Sequence, residues 1–163
     1  MRSPGLDEGF LRRAFEVARR SQAHGNHPFG ALLVGPSGEV LFERENGYLP
    51  DRDRTGHAER LLAGDACRAH PPHLLARSTL YSSAEPCAMC AGAIYWAGIG
   101  RVVYGLAERR LKAMTGDHAE NPTLDLPCRT VFAAGQRNVE VIGPLLEDEA
   151  AALHAGAWEC TES

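Results

Sequence analysis

The chain has 163 residues, 44% of them hydrophobic and 23% charged, with a formal net charge of -4. That suits one globular domain with one sizeable core. The negative balance excludes a chain-wide polyanion binder, and no apolar run reaches the roughly 18 residues of a membrane-spanning helix.

The opening stretch "MRSPGLDEGFLRRAFEVARR" has no long apolar core after its first arginine. It reads as an amphipathic helix rather than a signal peptide, so a cytoplasmic location is expected. Leu6, Phe10, Ala14, Val17 and Ala18 recur at helical spacing, which predicts a helix over residues 6 to 23. Arg12, Arg13, Arg19 and Arg20 cluster on it and read as a solvated face. "HGNHPFG" breaks the period. "ALLV" and "EVLFERE" then read as two strands around the tight turn "GPSG". The polar "NGYLPDRDRTG" leads to a helix near residues 57 to 70, "STLYSS" reads as a buried strand, Pro86 to Ala97 as a helix and "RVVYG" as a short strand. Residues 107 to 136 are ambiguous: "ERRLKAM" suits a helix, and "TGDHAENPTLDLPCR" a lid or insertion. "VEVIG" reads as a strand and residues 145 to 158 as a helix. Strands alternate with helices, without a repeat or linker. The expectation is one domain over residues 1 to 163, an α/β three-layer α-β-α sandwich around a mixed sheet.

The five cysteines (Cys67, Cys87, Cys90, Cys128 and Cys160) are odd in number and irregular in spacing, which favours metal or thiol chemistry over a disulfide framework. Cys67 reads as a small core residue on a helix face, while Cys128 and Cys160 stand alone. "EPCAMC" puts Cys87 and Cys90 at a helix start, where thiolate is favoured, so a redox pair is one reading. A closed structural zinc site needs two further ligands, and no second C-x-x-C exists. Thirty residues upstream, "TGHAERLL" offers His57 at the first turn of another helix, with Thr55 or Gly56 as its cap. Two helix starts converging at a sheet edge would present one imidazole and two thiolates to Zn2+. Three protein ligands leave the fourth position to water, as in a catalytic zinc site. Glu59 then lies where it can hold and move a proton. H-x-E with P-C-x-x-C is the pattern of zinc nucleobase deaminases. His118-Ala119-Glu120 repeats the first half, but a single cysteine follows it within reach, so it reads as a loop decoy.

"PFGALLV", the "EN" before His57, "HAE", "EPCAMCAGAIYWAGIGRVVYG" and the terminal strand and helix span residues 6 to 156. On these motifs the chain resembles the cytidine deaminase-like superfamily, in particular its bacterial guanine deaminases and tRNA adenosine deaminases. The resemblance implies a five-stranded sheet flanked by helices, a homodimer, and hydrolytic release of ammonia from an exocyclic amine. It implies His57, Cys87 and Cys90 as zinc ligands, Glu59 as proton shuttle and water as co-substrate. It also implies contacts to the substrate ring from Asn46, Phe29, the backbone N–H of Ala58, and Trp96. On the residues alone, a late-helix tryptophan suits core or interface.

The favoured substrate is a small nucleobase, nucleoside or related amino-heterocycle, with guanine-type rings first. tRNA adenosine deamination is the alternative, and a non-catalytic zinc-binding or thiol redox protein the remaining one. Against tRNA, the stretch from Leu145 to the end has no Lys or Arg to bind phosphate, and "IYW" replaces the stretch common in tRNA enzymes. A second acidic group of the guanine deaminases has no clear counterpart here; Asp117, Glu120 and Asp125 are the candidates.

Overall fold

A computed structural model describes residues 3–158. Helix α1 (Pro4–Ala23) starts on a proline, whose missing N–H costs nothing in a first turn. Its expected stripe is buried through Leu11, Ala14, Phe15 and Ala18. The opposite face is solvated as the pattern predicts, but its arginines are all engaged. Arg12 reaches Glu149 at 2.9 Å, Arg13 and Arg20 reach Glu43 at 2.5 and 2.8 Å, and Arg19 pairs with Glu16.

Strands β1 (Gly30–Val34) and β2 (Val40–Glu45) form the expected hairpin. Helix α2 (Ala58–Ala69) follows, then a short helix, α3 (Pro72–Leu75), that periodicity does not foresee. Strand β3 (Thr79–Ala84), helix α4 (Ala88–Ala97) and strand β4 (Arg101–Leu106) come next. The ambiguous segment resolves into α5 (Glu108–Thr115), irregular chain and α6 (Cys128–Ala133). β5 (Glu140–Ile142) and α7 (Glu147–Ala152) complete the order. α7 is shorter than expected and gives way to turns up to Trp158.

The sheet runs β2-β1-β3-β4-β5. β1 is antiparallel to both neighbours, while β3, β4 and β5 are parallel. Leu33, Leu80 and Val102 face one core with α2, α4 and α6, whereas Leu32, Tyr81 and Val103 face the other with α1 and α7. Adjacent residues thus enter opposite layers, which is why the inner strands read as unbroken apolar runs. The mixed five-stranded α-β-α sandwich is the fold expected from the motifs. Gly30 is obligatory within it, because a Cβ there would lie 2.5 Å from the backbone N of Ala18.

A buried charge pair fastens the layers. Asp7, 3% exposed, accepts two hydrogen bonds from Arg101 at 2.9 and 2.6 Å and one from the Tyr81 hydroxyl at 2.6 Å. Asp7→Ala leaves the half-buried Arg101 guanidinium to the solvated Glu140 at 3.3 Å, so urea denaturation should show a loss of about 1–3 kcal/mol.

Cys67 departs from its expected core position. It lies on the exposed side of α2, where Leu62, Ala63 and Ala66 take the buried stripe. Cys160 lies outside the described residues.

Candidate active site

The parallel strands β3 and β4 end side by side, with Ala84 opposite Leu106. In open α/β sheets, ligands gather beyond such carboxyl ends. Here the chain leaves β3 as Glu85-Pro86-Cys87 and turns into α4, while α2 begins alongside. α2 starts one residue, and α4 two residues, later than the sequence suggested. His57 and Cys87 are themselves the cap residues, with extended backbones (ψ 146° and 173°) that aim their side chains past the helix ends. Pro86 accordingly precedes the helix, and neither Thr55 nor Gly56 is the cap of α2. Gly98 ends α4 in the left-handed conformation (φ 86°). Arg137 binds the carbonyls of Ile94, Tyr95 and Ile99 there.

The ligand atoms of His57, Cys87 and Cys90 all lie within 4.8 Å of one another. Cys87 Sγ is 3.5 Å from His57 Nδ1. A hydrogen bond from Cys90 and another from His57 pull the Cys87 thiol down to about 4, so it is a thiolate at neutral pH. The Cys90 thiol is shifted upward as the donor of that pair. One imidazole and two sulfurs, one already anionic, are a donor set suited to zinc.

Glu59 sits in the first turn of α2, 6% exposed. Burial pushes its carboxyl up to about 7. Ala58 is fully buried, and its backbone N–H has no protein acceptor among the described residues, as at any helix start. Asn46 and Phe29 meet at the open end of the β1–β2 pair, where Asn46 N–H donates to the Phe29 carbonyl at 3.1 Å. The Asn46 Oδ1 is taken by the N–H of Tyr48, which leaves the amide nitrogen without a protein partner among the described residues. Trp96 is not brought to the cluster. It is 85% exposed near the end of α4, with its ring edge-on to Tyr95.

Three features escaped the sequence reading. Glu108, the first residue of α5, is buried beside the cluster. Burial first, then the charges of Cys87, Glu59 and Glu85, push its carboxyl up to about 8. The available signal was an acid just past a strand adjacent to the cysteine strand. The Glu85 carboxylate is the second, accepting the N–H of Glu108 at 3.0 Å and of Cys128 at 2.8 Å. The third is an aromatic group around Trp158. It stacks on His27 at 3.9 Å and meets Phe29, His118 and His154. The H-A-E decoy belongs here, because Glu120 pairs with His27 at 2.9 Å and stays clear of the metal-ligand cluster. Asp125 pairs with Lys112 on the surface.

Trp158 Nε1–H donates to His154 Nδ1 at 3.0 Å, so neutral His154 carries its proton on Nε2. Burial drives this imidazole down to about 4. The unfolded chain therefore binds more protons between pH 6.5 and about 4, and the stability His154 contributes above 6.5 is lost as pH falls through that window. His154→Leu should flatten the acid limb of the stability profile by about 3 kcal/mol at most, read from urea midpoints at pH 7, 5.5 and 4.5.

The sequence profile of the cytidine and deoxycytidylate deaminase zinc-binding region matches residues 4–106, from α1 through the cluster to the end of β4. The chain belongs to this deaminase family. A Schizosaccharomyces pombe protein named "Probable cytosine deaminase" is 39% identical over 94% of this chain and 93% of its own length. The tRNA-specific adenosine deaminase of Haemophilus influenzae is 34% identical over 74% of this chain and 73% of its own. The solved guanine deaminase of Nitrosomonas europaea superposes with a TM-score of 0.74 at 26% identity, covering 98% of this chain and 87% of that one. The protein is thus a hydrolytic deaminase with a His-Cys-Cys site of zinc-binding type. No helix among its described residues is long and apolar enough to cross a membrane.

Proposed function

We propose that the deaminase, acting as a single domain, removes an exocyclic amine from a small, free amino-heterocycle, with guanine-type bases first. The observation that carries this is a buried Glu59 carboxyl beside the His57, Cys87 and Cys90 cluster. Zinc bound by those three side chains would supply an acidified water as nucleophile. Glu59, held near neutrality, accepts the water's proton and passes it to a ring nitrogen next to the amine-bearing carbon. A second proton moves through the same carboxylate to the departing amine, so that amidine and water become lactam and ammonia. Phe29 packs on the ring, while the Asn46 amide and the Ala58 N–H fix its polar edge.

A small substrate fits the surroundings better than tRNA. The arginines of α1 are all tied to carboxylates, and the aromatic group around Trp158 crowds the rim beside Phe29. Guanine-type bases come first because the Nitrosomonas guanine deaminase aligns along nearly the whole chain. A second reading, cytosine, is favoured by the Schizosaccharomyces relative, which also matches end to end. The test is ammonia release by zinc-loaded protein from a panel of amino-purines, cytosines, pterins and triazines. Activity on tRNA with none on the panel would overturn the proposal.

We also assign the deaminase to a homodimer. α4 is apolar on all sides, yet Trp96 on it stays exposed, and a helix apolar all round belongs in an interior. On this reading Trp96 serves the interface. A monomer in light scattering at micromolar concentration would refute it.

A further inference from the structure

The chain has one Asn-Gly step, and it falls on a residue that the proposed chemistry uses. Asn26, Asn121 and Asn138 are followed by His27, Pro122 and Val139, whereas Asn46 is followed by Gly47. Asparagine is among the thermolabile residues of proteins, and a following glycine opens it to attack from its own backbone. The glycine nitrogen reaches the side-chain carbon readily, because no Cβ shields it or limits rotation of the chain. Asn46 and Gly47 are half-buried, and both line a cavity of about 560 Å³, so water has access. Tyr48 N–H donates to Asn46 Oδ1 at 2.8 Å and draws electrons from the amide carbon. The amide nitrogen, which would leave, is bound by no protein group among the described residues. The electrophile is therefore ready.

The nucleophile is held back. Gly47 N–H donates to the Gly56 carbonyl at 2.8 Å, and the carbonyl of the same peptide, Asn46 O, accepts from Asn26 Nδ2 at 3.1 Å. That peptide plane is pinned on both sides, and attack requires it to turn. The Gly56 carbonyl carbon is bonded to the nitrogen of His57, one of the three cluster residues. We propose that Asn46-Gly47 is a site of spontaneous deamidation which the metal centre guards. While His57 serves as a ligand, the Gly56 carbonyl keeps Gly47 N–H; once His57 is released, that carbonyl loosens and Gly47 N turns on Asn46 Cγ. Local openings of this kind are suppressed by any ligand that the closed form alone binds. The new N–Cγ bond forms, the Cγ–Nδ2 bond breaks, and the Gly47 proton passes through water to the departing nitrogen, which leaves as ammonia. Water then opens the succinimide to aspartate or isoaspartate. Either product puts a carboxylate where the amide donor stood, and isoaspartate also lengthens the main chain by a methylene. Metal loss thereby becomes irreversible loss of turnover. The guard rests on the zinc reading of the cluster; the chemistry at Asn46-Gly47 does not.

The test incubates zinc-loaded and chelator-treated protein at mildly alkaline pH, without substrate, and maps the peptide carrying Asn46 by mass spectrometry and an isoaspartate assay. The chelator-treated protein should deamidate at Asn46 about fivefold to tenfold faster, the change in rate expected when one hydrogen bond no longer holds Gly47 N–H. Asn26, Asn121 and Asn138 serve as internal references and should stay amides in both samples. Zinc returned to the deamidated protein should not restore ammonia release, and Asn46→Asp should show that loss from the outset. A Cβ at Gly47 would lie 2.6 Å from the tip of the Leu61 side chain, which can turn aside, so Gly47→Ala should keep fold and zinc. In that variant, chelator treatment should leave Asn46 as stable as the reference asparagines. Equal rates in loaded and chelator-treated protein would overturn the proposal. So would an intact Asn46 in both, or deamidation confined to chains that have lost their helical circular dichroism. A chain that takes up no zinc would instead overturn the reading of the cluster, and the guard with it.

Discussion

Glu59→Gln leaves the chain folded and zinc bound while turnover falls by about 10²- to 10⁴-fold. The substitution keeps the shape of a side chain already sealed in the first turn of α2. What it removes is a group able both to take and to give a proton. Burial lifts Glu59 to about 7, where neither form dominates at neutral pH, the condition under which one carboxyl can serve both proton transfers. No other side chain among the described residues replaces it, because His57 belongs to the proposed ligand set and Glu108 opens a different helix. KM should change little, since Phe29, Asn46 and the Ala58 N–H remain. Steady-state ammonia release, paired with zinc content by atomic emission, checks the result; near-native turnover would remove Glu59 from its role.

Cys87→Ala should lose both metal and turnover. Its sulfur is the anionic member of the cluster and the one in contact with His57 Nδ1 at 3.5 Å. Without it, an imidazole and the thiol of Cys90 remain, too few donors for a tetrahedral site. Zinc that binds only the folded chain adds to its stability by mass action. At free zinc about 100 times the dissociation constant that contribution is about 2.7 kcal/mol. The variant should therefore melt no higher than chelator-treated wild type, with no rise on adding zinc. The wild type should release zinc in acid. The Cys87 thiol is held below its ordinary value, so its stabilising share is complete above that value and lost as pH falls through about 4. Zinc retained in Cys87→Ala at wild-type affinity would refute the ligand assignment.

Some of this molecule was legible without coordinates because it is written locally. The two-residue period of the strands and the stripe on α1 follow from backbone geometry alone, so element types and the buried sheet came out of the residue pattern. So did the cluster: H-x-E and P-C-x-x-C each sit at one helix start, and a short motif carries its own conformation. Boundaries were less secure. His57 and Cys87 proved to be caps, since extended backbone at those two positions lets a side chain reach beyond the helix.

Other features depend on partners far apart in the chain. Glu85 meets Glu108 and Cys128 across 23 and 43 residues, and only the strand order β3-β4 with its flanking helices brings them together. Trp158 reaches His27 across the whole domain. Cys67 and Trp96 sit on apolar stretches that do not reveal which side faces a neighbour; the packing of α2 on α4 put Cys67 outside and left Trp96 uncovered. The sequence alone pointed to the His57, Cys87 and Cys90 group, the proposed proton carrier Glu59 and the alternation of elements, since each is encoded within a few residues. The tertiary structure decided where Glu108, Glu85 and the aromatic rim stand, because burial and partnership are set by which distant segments share an edge of the sheet.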